Sequence, residues 1–279
     1  MPDVSVYAYR RNTGEPAWVF QPSSGDRPGA FRLVTDGTLI FAGTENARAY
    51  GIDASTGTQR WMTELGPPGG AVKAFYASVA GGRVYYGVRD LSLNPVRGRF
   101  VALDAATGTE VWSHIFDPES PELDSGCLGG AVFFDDMVIV AADDGRVYAF
   151  EQATGAGRWV APSLRGRVEN FDATGDRRWL VVADSIVVVG SDTGYLIGLD
   201  ARDGTQLWMN TPRLGSTSYH PTTDGRVVYQ VFAGGQLAAI EASSGRLLWR
   251  TGAIALRSPL VTDSSLYVGG SSGYYALRR

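Results

Sequence analysis

Along the whole chain, apolar runs of about four to six residues alternate with short polar turns. The stretch from Ala131 to Ala161, AVFFDDMVIVAADDGRVYAFEQATGAGRWVA, shows the pattern: four strand-length segments separated by DD, DG and TG turns. No stretch keeps a 3.6-residue apolar period over a dozen positions, so little helix is predicted. The links are mostly too short for parallel crossovers, which need about a dozen residues or more, so the strands run as antiparallel meanders.

One motif recurs six times. Its copies are YAYRRNTGEPAW from Tyr7, YGIDASTGTQRW from Tyr50, VALDAATGTEVW from Val101, YAFEQATGAGRW from Tyr148, IGLDARDGTQLW from Ile197 and AAIEASSGRLLW from Ala238. Each ends in Trp (Trp18, Trp61, Trp112, Trp159, Trp208, Trp249) with Gly four residues earlier (Gly14, Gly57, Gly108, Gly155, Gly204, Gly245). A single four-stranded meander buries only one face. Stacking such sheets around a circle covers the other, which predicts an all-β fold, a six-bladed β-propeller of four-stranded antiparallel blades, as one domain over residues 1–279. Third-strand candidates exceed second-strand candidates by one, because both Val6–Arg10 and Tyr274–Arg278 match. The ring is expected to close with N- and C-terminal strands in the same blade, Pro16–Gln21 serving as its fourth strand; the duplicate third strand is then an extra outer or displaced strand, a disordered copy, or the mark of a ring cut from a longer chain, and the sequence leaves these open.

Within each third strand a large residue (Tyr9, Ile52, Leu103, Phe150, Leu199, Ile240, Leu277) follows a small one (Ala8, Gly51, Ala102, Ala149, Gly198, Ala239, Ala276). Neighbouring residues face opposite sides of a sheet. The large column therefore fills the space between blades, and the small column is expected to admit the Trp of the neighbouring blade. The glycines are expected at positive φ in the hairpin between strands three and four. Asp53, Asp104, Glu151, Asp200 and Glu241 open that hairpin and are expected to accept local hydrogen bonds there. Such acids, spread around a ring, do not converge on one ion. The six Trp supply an apolar face and an N–H for a nearby carbonyl.

Apolar residues make 44% of the chain, too many for a disordered segment. The net charge of −4 argues against a nucleic-acid partner. A single cysteine, Cys127, rules out an intrachain disulfide. No apolar run reaches the length of a membrane span. The opening MPDVSVYAYRR lacks an apolar signal core. The compartment is therefore open, and extracytoplasmic if the chain is a trimmed domain.

The pattern small–large–Asp–Ala–x–Thr–Gly–x–x–x–Trp resembles the PQQ-repeat, or quinoprotein-like, β-propellers, most closely in GIDASTGTQRW and ALDAATGTEVW. In that family the Gly and Trp form a blade-docking motif. The resemblance implies one of two branches. One holds large dehydrogenases carrying pyrroloquinoline quinone with calcium or a lanthanide. The other is non-enzymatic: an outer-membrane assembly lipoprotein, and sensor domains of bacterial kinases. The adjacent Cys–Cys pair of many of the dehydrogenases has no counterpart here, which points to the non-enzymatic branch and to no cofactor.

Outside the repeats no zinc, phosphate-loop, calcium-hand or nucleophile-elbow pattern occurs, and no catalytic, cofactor-binding or metal-binding residue is assigned. The residues expected to face a ligand are Trp179, which lies outside the repeat register, His220, whose ring can titrate near neutral pH, Cys127, and the loop cations Arg165 and Arg167. The loops Arg89–Gly98 and His114–Cys127 are longer than their counterparts, and loops on a rigid scaffold commonly recognise partners. The expectation is a monomeric, non-catalytic scaffold binding a protein, peptide or small polar ligand at a channel mouth or at loops, such as the sensor or interaction domain of a longer bacterial protein. The alternative is an enzyme with a channel-mouth site, a quinoprotein oxidoreductase, lyase or hydrolase.

Overall fold

The computed structural model describes residues 5–22, 33–67, 72–74, 76–116, 124–127, 129–162, 179–190, 195–210, 220–253, 257–270 and 273–278. Among them there are strands and turns and no helix, as the short apolar runs predict. The chain divides into two compact units. The first comprises Met1–Ala131, Ala142–Asp144 and Gln152–Ala156; the second comprises Val132–Ala141, Gly145–Glu151 and Gly157–Arg279.

In the first unit, β1 (Val6–Tyr9) and β2 (Pro16–Phe20) form a two-stranded sheet. Next come β3 (Val34–Thr35), β4 (Leu39–Gly43), β5 (Arg48–Asp53) and β6 (Gln59–Glu64), paired in chain order. A five-stranded sheet follows: β7 (Val72–Lys73), β8 (Ala77–Ala80), β9 (Arg83–Asp90), β10 (Arg97–Asp104) and β11 (Glu110–Ile115), with β7 and β8 both on β9.

The second unit holds two four-stranded meanders, β12 (Val132–Phe134), β13 (Met137–Ala141), β14 (Val147–Glu151), β15 (Gly157–Val160), and β16 (Trp179–Ala183), β17 (Ile186–Gly190), β18 (Leu196–Asp200), β19 (Gln206–Met209). A third is β20 (Thr222–Thr223), β21 (Val227–Phe232), β22 (Gln236–Glu241) and β23 (Leu247–Ala253). The last sheet has three strands, β24 (Leu260–Val261), β25 (Ser265–Gly270) and β26 (Gly273–Arg278).

The second-strand segments read from the sequence are β4, β9, β13, β17, β21 and β25, shifted by at most two residues. The termini differ from expectation. Pro16–Phe20 pairs with Val6–Tyr9, and the described ladders give it no place as fourth strand of the last sheet, where Gly273–Arg278 is the edge. The reason is local: the third-to-fourth hairpin closes over a six-residue turn, bonded Arg10 N–H to Glu15 O at 2.8 Å, so Pro16–Phe20 brings its own third strand with it.

The large column is the core. Ile52, Leu103, Phe150, Leu199 and Ile240 are all buried, whereas Tyr9, on the two-stranded sheet, is 61% exposed. In the first unit Val6 and Phe20 pack on Ala42, Tyr50 and Ile52 of the next sheet, and Phe41, Trp61, Tyr86 and Leu103 pack together across the following pair. In the second unit Ile139, Ala149, Val187 and Leu199 form one such layer, and Tyr229, Ala239, Leu266 and Val268 another.

Candidate functional site

All six repeat glycines take positive φ, between 69° and 74°, as the hairpin requires. Each third–fourth ladder then slips its register between the small and the large residue: Gly51 faces Trp61, but Ile52 faces Gln59. The same slip recurs in the five other copies. It leaves an extra residue just before each Trp (Ala17, Arg60, Val111, Arg158, Leu207, Leu248), a bulge that re-aims the following ring.

Five of the rings then land on the glycine turn of the next repeat. A Cβ placed on Gly57, Gly108, Gly155, Gly204 or Gly245 would lie 2.3–2.5 Å from the ring of Trp18, Trp61, Trp112, Trp159 or Trp208 respectively. The same five indoles donate to main-chain oxygens of Ala54, Ala105, Gln152, Ala201 and Ala242 at 2.8–3.1 Å. The small column plays a different part from the one expected. Cβ atoms on Gly51 and Gly198 would strike Trp61 and Trp208, so each ring crosses the small residue of its own sheet on its way to the neighbour's turn.

Gly108→Ala adds a clash with Trp61 to the backbone strain of a left-handed residue, whereas the Cβ of Gly14→Ala would meet nothing within 4 Å. The second substitution should cost about 1–2 kcal/mol, the left-handed penalty alone. The first should cost clearly more, measured by urea unfolding of both variants. Equal losses would mean that the ring seat contributes nothing.

The acids that open these turns hold them closed. Asp53 accepts from Ser55 N and Oγ and from Thr56 N at 2.6–3.0 Å, and Arg60 reaches its other oxygen at 3.0 Å. Asp104 accepts from the main-chain N–H groups of Ala106 and Thr107 and from the Thr107 hydroxyl. The Ser55 hydroxyl foremost, then the backbone N–H groups, holds the Asp53 carboxyl far below the usual range; the Thr107 hydroxyl lowers Asp104, and the Ser244 hydroxyl lowers Glu241. A carboxyl depressed in the folded state contributes stability that is complete above its unfolded pKa, about 4, and is lost as pH falls toward the folded value. The unfolding free energy should therefore fall as pH drops below 4. In acid titrations of urea unfolding Asp53→Asn should flatten that fall. An unchanged slope would place the acid sensitivity elsewhere.

The first unit also holds a buried polar cluster. Arg89 Nε and Asp143 Oδ2 lie 2.8 Å apart with side chains only 7% and 6% exposed, a close electrostatic contact rather than an aligned hydrogen bond. Gly126 caps the pair: a Cβ there would come within 2.4 Å of Arg89 and 2.7 Å of Asp143, and its carbonyl accepts from Asp143 N at 2.8 Å. Ser125 N–H bonds Val96 O, and Asp124 Oδ1 accepts from Val96 N at 2.8 Å. The Asp124–Cys127 segment is thereby fastened to the β9–β10 hairpin, whose strands stay paired out to Asp90 and Arg97.

Beside that hairpin lies a cavity of about 240 Å³, lined by Leu65, Pro67, Leu93, Arg97, Arg99 and Ile115 among others. Leu93 is 47% and Ile115 71% exposed. Arg99 is held by Glu110 at 2.8 Å. A second cavity, about 540 Å³, lies in the second unit against Tyr229, Trp249, Leu266 and Leu277.

Of the residues expected to face a ligand, Trp179 opens β16 at 3% exposed with its ring across Gly190, packed as a core residue. Cys127 is fully buried, its carbonyl against Gly87, next to the Arg89–Asp143 cluster. His220 is half-buried in the second unit. Arg165 and Arg167 lie outside the described residues. Sequence reasoning missed Arg89, Gly126 and Asp143, which read as loop and turn residues. Among the described residues no group of three or more His, Cys, Asp or Glu side chains is placed to hold a metal ion, and no helix is long and apolar enough to cross a membrane.

The described geometry defines a class: a repeat protein of stacked antiparallel meanders joined by a glycine–tryptophan seat. The family model described as outer membrane protein assembly factor BamB matches residues 2–114, 96–252 and 194–277, and the chain belongs to that PQQ-repeat family. Curated relatives of that name include one from Yersinia pestis, 23% identical over 92% of this chain, and one from Burkholderia pseudomallei, 26% identical over 91%. The chain spans 66% and 63% of their lengths. Among solved structures, BamB from Moraxella catarrhalis superposes with a TM-score of 0.71 at 18% identity, covering 98% of this chain and 78% of that one. A europium-containing methanol dehydrogenase superposes with 0.73 at 14% identity, covering 98% and 73%. An assembly factor and an enzyme thus share this fold, and the fold alone does not choose between them.

Proposed function

We propose that the chain is a monomeric, non-catalytic, protein-binding scaffold acting outside the cytoplasm, its repeats arranged as propeller blades in a single domain. The observation that supports this reading is the family match, which runs through nearly the whole chain to a family described as an outer membrane protein assembly factor. The exposed Leu93 and Ile115 beside the β9–β10 cavity suit a partner's apolar side chain. A photo-crosslinking residue at position 93, introduced in cells of the source organism, should yield one dominant protein adduct that a control at exposed Thr262 does not give. Loss of that adduct would count against the reading. Titration with pyrroloquinoline quinone and calcium should give neither saturable binding nor dye reduction; turnover would establish the enzyme instead.

A further inference from the structure

We propose that the cavity beside the β9–β10 hairpin takes a large apolar side chain from an acidic segment of a partner polypeptide. This deepens the protein-binding reading above and rests on it.

The cavity lies on one face of the five-stranded sheet, at its hairpin end. Val88 of β9 pairs with Arg99 of β10, which pairs with Ile115 of β11. One row further out, Val72 of β7 pairs with Asp90, which pairs with Arg97. Directly paired residues point to the same side of a sheet, and all six line the cavity. Val72 and Val88 are buried and make its floor, while Ile115 and Leu93, the latter at the hairpin tip, stand exposed at its rim. A volume of about 240 Å³ is below the roughly 300–1,000 Å³ of pockets that enclose a whole small molecule. It suits a single side chain presented by a larger partner. The floor and rim require that side chain to be apolar, since a polar group there would lose its water without gaining a bond.

The charges around the cavity set the rest of the ligand. Two guanidiniums, Arg97 and Arg99, line it against one carboxylate, Asp90. The Asp90 carboxylate is turned back into the hairpin tip, accepting from Ser92 N at 3.0 Å and from Ser92 Oγ at 2.5 Å. Arg99 reaches Glu110 at 2.8 Å, in a pair whose side chains are 28% and 40% exposed and so screened by water. An arginine carries five N–H donors, enough for a second carboxylate beside Glu110. Arg97 and Arg99 stand two residues apart on β10, about 7 Å along the strand. An extended ligand shows alternate residues on one side at the same spacing. A large apolar residue with acids two positions to either side therefore offers its side chain to the cavity and its carboxylates to the arginines.

The probe is the peptide acetyl-Glu-Ser-Leu-Ser-Glu-amide, added to the 279-residue protein carrying ¹³C-labelled Leu and Ile methyl groups. The Leu93 and Ile115 signals, assigned with Leu93→Val and Ile115→Val, should move and saturate. Affinity should fall at least tenfold between low salt and about 1 M salt, where the Debye length shrinks to about 3 Å. Peptides with Lys for Glu, or Ala for Leu, should bind at least tenfold more weakly. Arg97→Glu should weaken the Glu peptide at least tenfold and tighten the Lys peptide, a reversal that a misfolded variant would not give. Unmoved Leu93 and Ile115 signals at millimolar Glu peptide, or equal binding of the Glu and Lys peptides, would overturn the inference. So would self-association in sedimentation that Arg97→Glu abolishes, since the occupant would then be a second copy. Peptide binding that appears only when Glu119→Gln and Glu122→Gln are introduced would overturn it too, because a segment of this chain would then be the occupant. A position-93 adduct that survives Arg97→Glu would sink the acidic ligand and leave the protein-binding reading intact. Absence of any adduct, with a silent peptide titration, would remove the reading itself.

Discussion

Trp61→Ala should destabilise the protein by about 3–5 kcal/mol, the usual cost of truncating a buried large aromatic side chain. The ring is 7% exposed and lies across Gly51 of its own sheet and Gly108 of the next, with its N–H on Ala105 O at 2.9 Å. The substitution removes the ring from two glycines that have no side chain with which to refill the space. Trp249→Ala changes the same residue type in the same register, at a ring 40% exposed. It should cost a small fraction of that. Urea unfolding of the two variants measures the difference. A comparable loss at both positions would show that the fourth-strand Trp acts within its own sheet and that seating on the next repeat adds nothing.

Arg89→Ala is expected to have a comparable effect, about 3–5 kcal/mol, by a different route. It takes the guanidinium away from the Asp143 carboxylate, whose side chain is 6% exposed, in a site that Gly126 closes against solvent. Replacing the pair together, Arg89→Met with Asp143→Leu, removes both charges and should recover most of the loss, because a buried ion pair is often no better than apolar packing. Unfolding free energies of the two single variants and the double variant form the cycle that tests this. A double variant as unstable as Arg89→Ala would mean that the guanidinium supports the Gly126 segment through contacts beyond Asp143.

What could be read from the sequence divides by the range of the interaction. The hairpin acids and glycines act on residues two to four positions away, so Asp53, Asp104 and Gly57 carry their roles in the local motif. The Trp column was legible as a docking element because it repeats. Its path was not: the bulge before each Trp depends on the ladder register, and that decides that Trp61 crosses Gly51 before reaching Gly108. The Arg89–Asp143 pair is opaque for the opposite reason. It joins a residue near the end of a long hairpin strand to one of a tight turn, and both types read as solvent-facing until the fold brings Gly126 over them. Val6–Arg10 and Tyr274–Arg278 were both rightly read as third strands, but the fourth-strand role given to Pro16–Gln21 followed from counting units. The hairpin that ties it to Val6–Tyr9 is the shorter-range bond and prevails.

In the five filled seats the indole bonds a peptide oxygen, and Gln152 stands where the other four have Ala. An acceptor that belongs to the backbone survives replacement of the residue that bears it. Those positions are therefore free to vary from repeat to repeat, and the surface can be rewritten for new recognition without loosening the joints beneath it.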